Sequence, residues 1–177
     1  MEPGRGNVQV SVERLEYDAS SAAEVEILWR YAGRGVEIEA GDWSRTGTAG
    51  EGFSAKVRSL ERSGAILRRS TLSALALDGG EAEILLWDLD RGASLLARPR
   101  RREDRVELDL LPRFVRADGR VATLEQARTR VQARPGVPLL IGGLDSASDS
   151  LAGSLFSRST REGTRRILLV LTVRTGP

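Results

Sequence analysis

The side chains in this sequence that could carry chemistry are carboxylates, arginines and tryptophans. Its 177 residues contain no histidine and no cysteine. That removes the usual general base and the thiolate nucleophile, and with them serine–histidine and cysteine–histidine catalysis. The commonest metal ligands and every disulfide go too. Asp145 and Asp149, set among serines, offer oxygen ligands of the kind Ca²⁺ takes. Two acids without EF-hand spacing fall short of the roughly six to eight oxygens such an ion gathers. Arg98, Arg100, Arg101, Arg102 and Arg105 surround Pro99 and could contact phosphate or anionic headgroups. Glu103 and Asp104 lie inside that run, a charge pattern that reads as a solvated, exposed connection. Trp29, Trp43 and Trp87 could form a stacking platform for bases. Trp29 and Trp87 fall on alternating apolar patterns, where core packing is the ordinary fate, whereas Trp43 sits in a Gly-rich stretch. Glu24 and Glu26 share one face of a strand-like run, with nothing that suggests a pocket. No nucleophile–base pair, Walker loop or dinucleotide fingerprint occurs. The chain is therefore expected to be no enzyme, to need no cofactor and to take no small-molecule substrate.

These residues are embedded in a chain that is 40% hydrophobic, enough for a core of ordinary size, and whose length suits one domain. The net charge is +2, with Lys56 the only lysine. Acidic residues are spread through the same segments, so the mixed field argues against a nucleic-acid partner. No run approaches the ~20 apolar residues of a membrane helix, and no signal peptide is visible at the start.

Residues 1–6, rich in Gly and Pro, read as a loose terminus, and 7–174 as a single domain. Val8, Val10 and Val12 alternate with polar residues, a strand pattern. Val25, Ile27, Trp29 and Tyr31 alternate in the same way, with a short helix the other reading. Val36 and Ile38 make a brief strand, and Gly41 to Gly52 reads as a loop. Phe53, Val57 and Leu60 fall on one face of a helix over Ser54 to Ser63, which Gly64 would end in a left-handed cap. Leu75 and Leu77 lead through Asp78-Gly79-Gly80 to Ala82, Ile84 and Leu86, a hairpin signal. Val106, Leu108 and Leu110 form a strand that Pro112 should end or place at an edge. Asp118-Gly119 predicts a second hairpin, and Val121 to Ala133 is an ambiguous polar strand. Pro135-Gly136 reverses the chain into Val137 to Leu144. Ile167 to Val173 is apolar on both faces and predicts a central strand covered on both sides. The sum is an α+β, mainly β fold with largely antiparallel strands and one central helix.

The order of these elements resembles the core of the bacterial secretins, the outer-membrane ring channels of type II and type III secretion, type IV pili and filamentous phage export. Four blocks carry the resemblance. The first is the opening strand, Val8 to Glu13. The second runs from the helix and Gly64 through Leu67 to Asp78, Gly79 and Ala82. The third is Val106 to Arg113, a strand ending near Pro112. The last comprises Ile141, Gly142, Gly143 and Leu144, then Leu155 and Phe156, and finally the strand with Leu169 and Leu171. The glycine pair Gly142-Gly143 could mark a functional lip, although such a pair more often marks a bulge or turn. The chain departs from the family in the interval Leu85 to Arg105, which is short and Arg-rich where secretins carry long gate hairpins. Aromatics are 5% of the chain, and no pair of ~10-residue alternating strands with aromatic girdles is seen. The resemblance implies a secretin-core-like fold, a homo-oligomeric ring as partner, other secretion-system proteins, and a place at the outer membrane or periplasm. The departures leave open a soluble interaction module that has lost the channel.

Overall fold

The computed structural model describes residues 6–34, 36–39, 44–87, 92–115, 118–143 and 155–176. In chain order its strands are β1 (Asn7–Asp18), β2 (Ala32–Arg34), β3 (Val36–Glu39), β4 (Ser44–Ala49), β5 (Ile66–Leu77), β6 (Ala82–Leu85) and β7 (Ala93–Arg101). There follow β8 (Val106–Val115), β9 (Val121–Thr123), β10 (Thr129–Ala133), β11 (Leu139–Gly143), β12 (Ser157–Thr160) and β13 (Gly163–Thr175). The helices are α1 (Ala22–Val25), which continues as a 3₁₀ turn over Glu26–Tyr31, and α2 (Phe53–Arg62). A first sheet runs β2-β4-β11-β13-β1-β5, with β12 against β13. A second runs β3-β10-β8-β7-β6, with β9 against β8. The described pairings are all antiparallel, so the fold is α+β and mainly β, as its patterns predict.

The two sheets pack face to face. Val8, Val10 and Val12 of β1 and Leu169 and Leu171 of β13 share one apolar core with Leu95 of β7 and Leu108 and Leu110 of β8. The period of two along each strand supplies that shared face. The opposite face of the first sheet meets the helices, where Phe53, Val57 and Leu60 of α2, with Val25 and Leu28, cover Leu140, Leu168 and Val170. Burying side chains of this size stabilises by about 1.5–3 kcal/mol each. Covered on both faces and paired on both edges, β13 is the central strand its sequence predicts.

Several expectations are corrected. Val25 to Tyr31 is helical rather than a strand. Leu28 fills the gap in the apparent alternation, and Val25 and Leu28, three residues apart, are the buried pair. The stretch read as a loop over Gly41 to Gly52 contains β4, which pairs with β11 through Ser44 to Thr48. The Arg-rich stretch is not an exposed connection: its first half is β7, with Leu95 and Ala97 in the core.

Pro112 neither ends its strand nor lies at an edge, since β8 runs on to Val115 with β7 on one side. On the other side β10 stops at Leu110 and β9 begins at Arg113, so Pro112 falls where the partner changes. Its carbonyl accepts from the Leu124 N–H at 2.8 Å, and its missing N–H deprives no ladder of a bond. The Asp78-Gly79-Gly80 turn forms with Gly79 at φ 78°, but β5 and β6 belong to different sheets and make no hairpin. The Pro135-Gly136 turn likewise carries the chain from the second sheet to the first. Asp118-Gly119 does close a hairpin, between β8 and β9.

Candidate functional site

The outer edge of β5 is one end of the first sheet. This strand is 12 residues long and pairs with β1 over its length, and no other described strand lies along its far edge. Its backbone therefore presents a row of hydrogen-bonding groups to solvent. Leu75 is 65% exposed and Leu77 53%, and both lie on the strand face that also carries Thr71 and Ser73. Leu67 is the extra residue of a bulge: Glu16 faces Arg68 and Tyr17 faces Ile66, so the register skips it, leaving it half exposed. Arg69 pairs with Glu13 across the strands and reaches Glu61 of α2 at 3.7 Å.

The residues that carry the secretin resemblance divide into two kinds. Gly64 has φ +80° and ends α2 in the left-handed conformation that favours glycine. Asp78 accepts from the Arg101 N–H at 2.8 Å, and Gly79 donates to the Pro99 carbonyl at 2.8 Å, so this turn is tied to the end of β7. Ala82 is buried opposite Ala97. Ile141, Leu155, Phe156, Leu169 and Leu171 are core residues. Gly142 and Gly143 lie within β11 and form neither a bulge nor a positive-φ turn. A Cβ on Gly142 would sit 2.8 Å from Leu168 Cδ1 and 3.0 Å from Trp29, and one on Gly143 would sit 3.0 Å from Phe156. Close packing on both faces of β11 thus requires the pair. Leu144, Asp145, Asp149 and Trp43 lie outside the described residues.

The other sequence candidates are placed as follows. Trp29 is half-buried against the first sheet, with the Arg45 guanidinium 4.3 Å above its ring. Trp87 is buried and donates through its indole N–H to the Leu155 carbonyl at 2.9 Å. Buried Arg14 donates to the Leu86 carbonyl at 3.0 Å, so β1 is stitched to the chain leaving β6. Glu24 and Glu26 lie on helical turns, not on one strand face. Of the arginine cluster, Arg98 meets Glu81 at 2.8 Å and Arg102 meets Glu107 at 3.5 Å. Arg105 binds Asp104 at 3.0 Å and the Gln132 side-chain oxygen at 2.6 Å.

A buried ion pair went unread in the sequence. Asp109 of β8, only 1% exposed, takes Arg130 of β10 at 2.6 Å and Arg128 at 3.7 Å. The register sets Arg130 directly opposite Asp109. The available signal was the pair Arg128/Arg130 facing Glu107/Asp109 at matching two-residue spacing. A carboxylate held in this way braces the outer face of the second sheet.

Two carboxylates, the partly exposed Asp18 and the exposed Asp104, are held below the usual carboxylate range. For Asp18 the cause is first the Ser20 backbone N–H and then its hydroxyl, with Arg165 adding attraction. For Asp104 it is the hydrogen bond from Arg105, whose own pKa is raised by the same contact. Among the described residues no cluster of acids is set to hold a metal ion. Among the described residues no helix is long and apolar enough to cross a membrane, a statement that does not extend to strands. Compared with protein families, with curated proteins and with solved structures, the chain matches none.

Proposed function

We propose that this chain is a secretin-like component of a bacterial protein secretion or pilus export system, acting by homo-oligomeric assembly at the outer membrane. The observation that carries the reading is the long open edge of β5, bordered by exposed Leu75 and Leu77. A neighbouring copy that adds a strand there would satisfy backbone groups and cover both leucines at once. The sequence blocks of the resemblance add support. The first block is β1, hydrogen-bonded on one side to β5 of the second block and on the other to β13 of the last, which in turn pairs with β11. The first, second and last blocks thus contribute neighbouring strands to one sheet that ends in β5, whereas the third block, β8, lies in the second sheet. Light scattering and negative-stain imaging, with and without lipid vesicles, test the proposal. Closed rings are the expected result, and a monomer at every concentration and indifferent to lipid would contradict it.

A second reading, a soluble interaction module without a channel, is favoured by a separate observation. Where secretins carry gate hairpins, the described part of the interval Leu85 to Arg105 is largely β7, whose Leu95 and Ala97 are committed to the core. Its other face meets charged neighbours, with Arg98 opposite Asp109 and Arg100 opposite Glu107, a surface poorly suited to lipid. Rings that form in solution and never insert into vesicles would select this reading.

A further inference from the structure

One end of the sandwich gathers arginines that are distant in sequence. The β7–β8 connection contributes Arg101, Arg102 and Arg105, and the β10–β11 turn brings Arg134 to the same place. Three concavities there share their walls. A cleft of about 280 Å³ lies between Arg105, Gln132 and Arg134 on one side and Val137, Pro138 and Leu139 on the other. Arg105 and Gln132 also wall the next concavity, which continues to Arg101 and Arg102. Those two line a third, together with Arg100, Asp78 and Gly79. The result is a continuous trough edged by Arg100, Arg101, Arg102, Arg105 and Arg134.

The acids around it offset part of its charge: Glu103 lines the trough beside Asp104, and Glu107 takes Arg102. Asp104 is engaged by Arg105, and Asp78 by the Arg101 backbone N–H. The Arg101 guanidinium donates to the neutral Gly176 carbonyl at 3.2 Å. Arg100 and Arg134 are exposed and make no ion pair among the described residues. Arg100, Arg101 and Arg134, outside any ion pair among the described residues, exceed the two lining acids held in none, Asp78 and Glu103, which leaves the trough positive, and planar guanidinium donors suit phosphate oxygens. Among the described residues the walls contain no aromatic side chain on which a base could stack, which favours phosphate carried without bases.

We infer that this trough binds phosphate-bearing polyanions, as the headgroups of an anionic lipid surface or as soluble polyphosphate. The inference does not rest on the assembly reading. It is tested by co-sedimentation of the intact chain with phosphatidylglycerol vesicles against phosphatidylcholine vesicles, and by calorimetry with tripolyphosphate. Capture by phosphatidylglycerol that tripolyphosphate fails to displace assigns the lipid surface. Binding of tripolyphosphate without vesicle capture assigns the soluble ligand. Binding of neither overturns the inference. The combined variant Arg100→Gln/Arg101→Gln/Arg134→Gln should lose about a hundred-fold in affinity, since each arginine near an anionic surface contributes about five-fold. The exposed triple Arg30→Gln/Arg58→Gln/Arg62→Gln removes the same charge elsewhere and should retain binding. Equal losses in the two triples would show a diffuse charge effect and overturn the assignment. Should the triple variant fail to fold, the single exposed changes Arg100→Gln and Arg134→Gln decide the same question: each should lose about five-fold while Arg58→Gln loses nothing, and equal losses at all three overturn the assignment.

Discussion

Strands β13 and β5 flank the same partner, β1, and have nearly the same length, 13 and 12 residues, yet they have opposite surroundings. On its far edge β13 meets β11 and β12, and apolar side chains cover both of its faces. The far edge of β5 meets no described strand, and most of its side chains are at least partly exposed. Hydrogen bonding to β1 is common to both, so it cannot be what separates core from surface. The difference lies in the second neighbour and in the faces. It teaches that burial is concentrated at β13, and that unpaired backbone is concentrated at β5, the edge the proposed assembly would use.

The contrast breaks most visibly if charge is tolerated at β13. Leu169→Asp would bury an unpaired carboxylate at a position with 0% exposure. A loss of at least about 4 kcal/mol, a large part of a typical domain's stability, should abolish cooperative unfolding in circular dichroism. A soluble, folded Leu169→Asp protein would remove β13 from the core. Next in size, Gly142→Val would drive a side chain against Leu168 of β13 and Trp29, and overpacking of this kind costs about 1–3 kcal/mol. Urea unfolding should show a lowered midpoint with unchanged slope, whereas an unaltered midpoint would mean that β11 need not lie so close.

A smaller effect is expected where β1 ends, at Asp18 opposite Arg165 of β13. Because the folded-state pKa of Asp18 is depressed, its contribution is complete above the unfolded-state value and is lost as pH falls through the lower folded value. Thermal melts across the acid range should therefore decline less for Asp18→Asn than for the unaltered chain. Parallel declines would assign the acid sensitivity to other carboxylates. Smallest of all for stability is Leu75→Lys/Leu77→Lys, on the exposed edge, with a change within about 0.5 kcal/mol.

The sequence discloses the parts of the fold whose signal is local. The alternation of Val8, Val10 and Val12, the helical spacing of Phe53, Val57 and Leu60, and the doubly apolar β13 each report their own surroundings. Partner choice is not local. The turns at Asp78-Gly79 and Pro135-Gly136 have the chemistry of reversal, but a left-handed glycine bends the chain without deciding which sheet receives the next strand. For that reason two expected reversals became crossings between sheets. Composition misled at β4, where Gly47 and its hydroxyl-bearing neighbours resemble a loop although pairing with β11 makes a strand. At β7, arginines and Pro99 hid the buried pair Leu95 and Ala97. The trough was half legible: the run from Arg100 to Arg105 is visible, whereas Arg134 reaches the same end only through the crossing after β10.

Sedimentation velocity over a range of concentrations, on the unaltered chain and on Leu75→Lys/Leu77→Lys, tests the central claim most directly. The account predicts that the unaltered chain self-associates and that the edge variant, with the same melting temperature, stays monomeric. Identical association in both proteins would contradict it and move the interface away from β5.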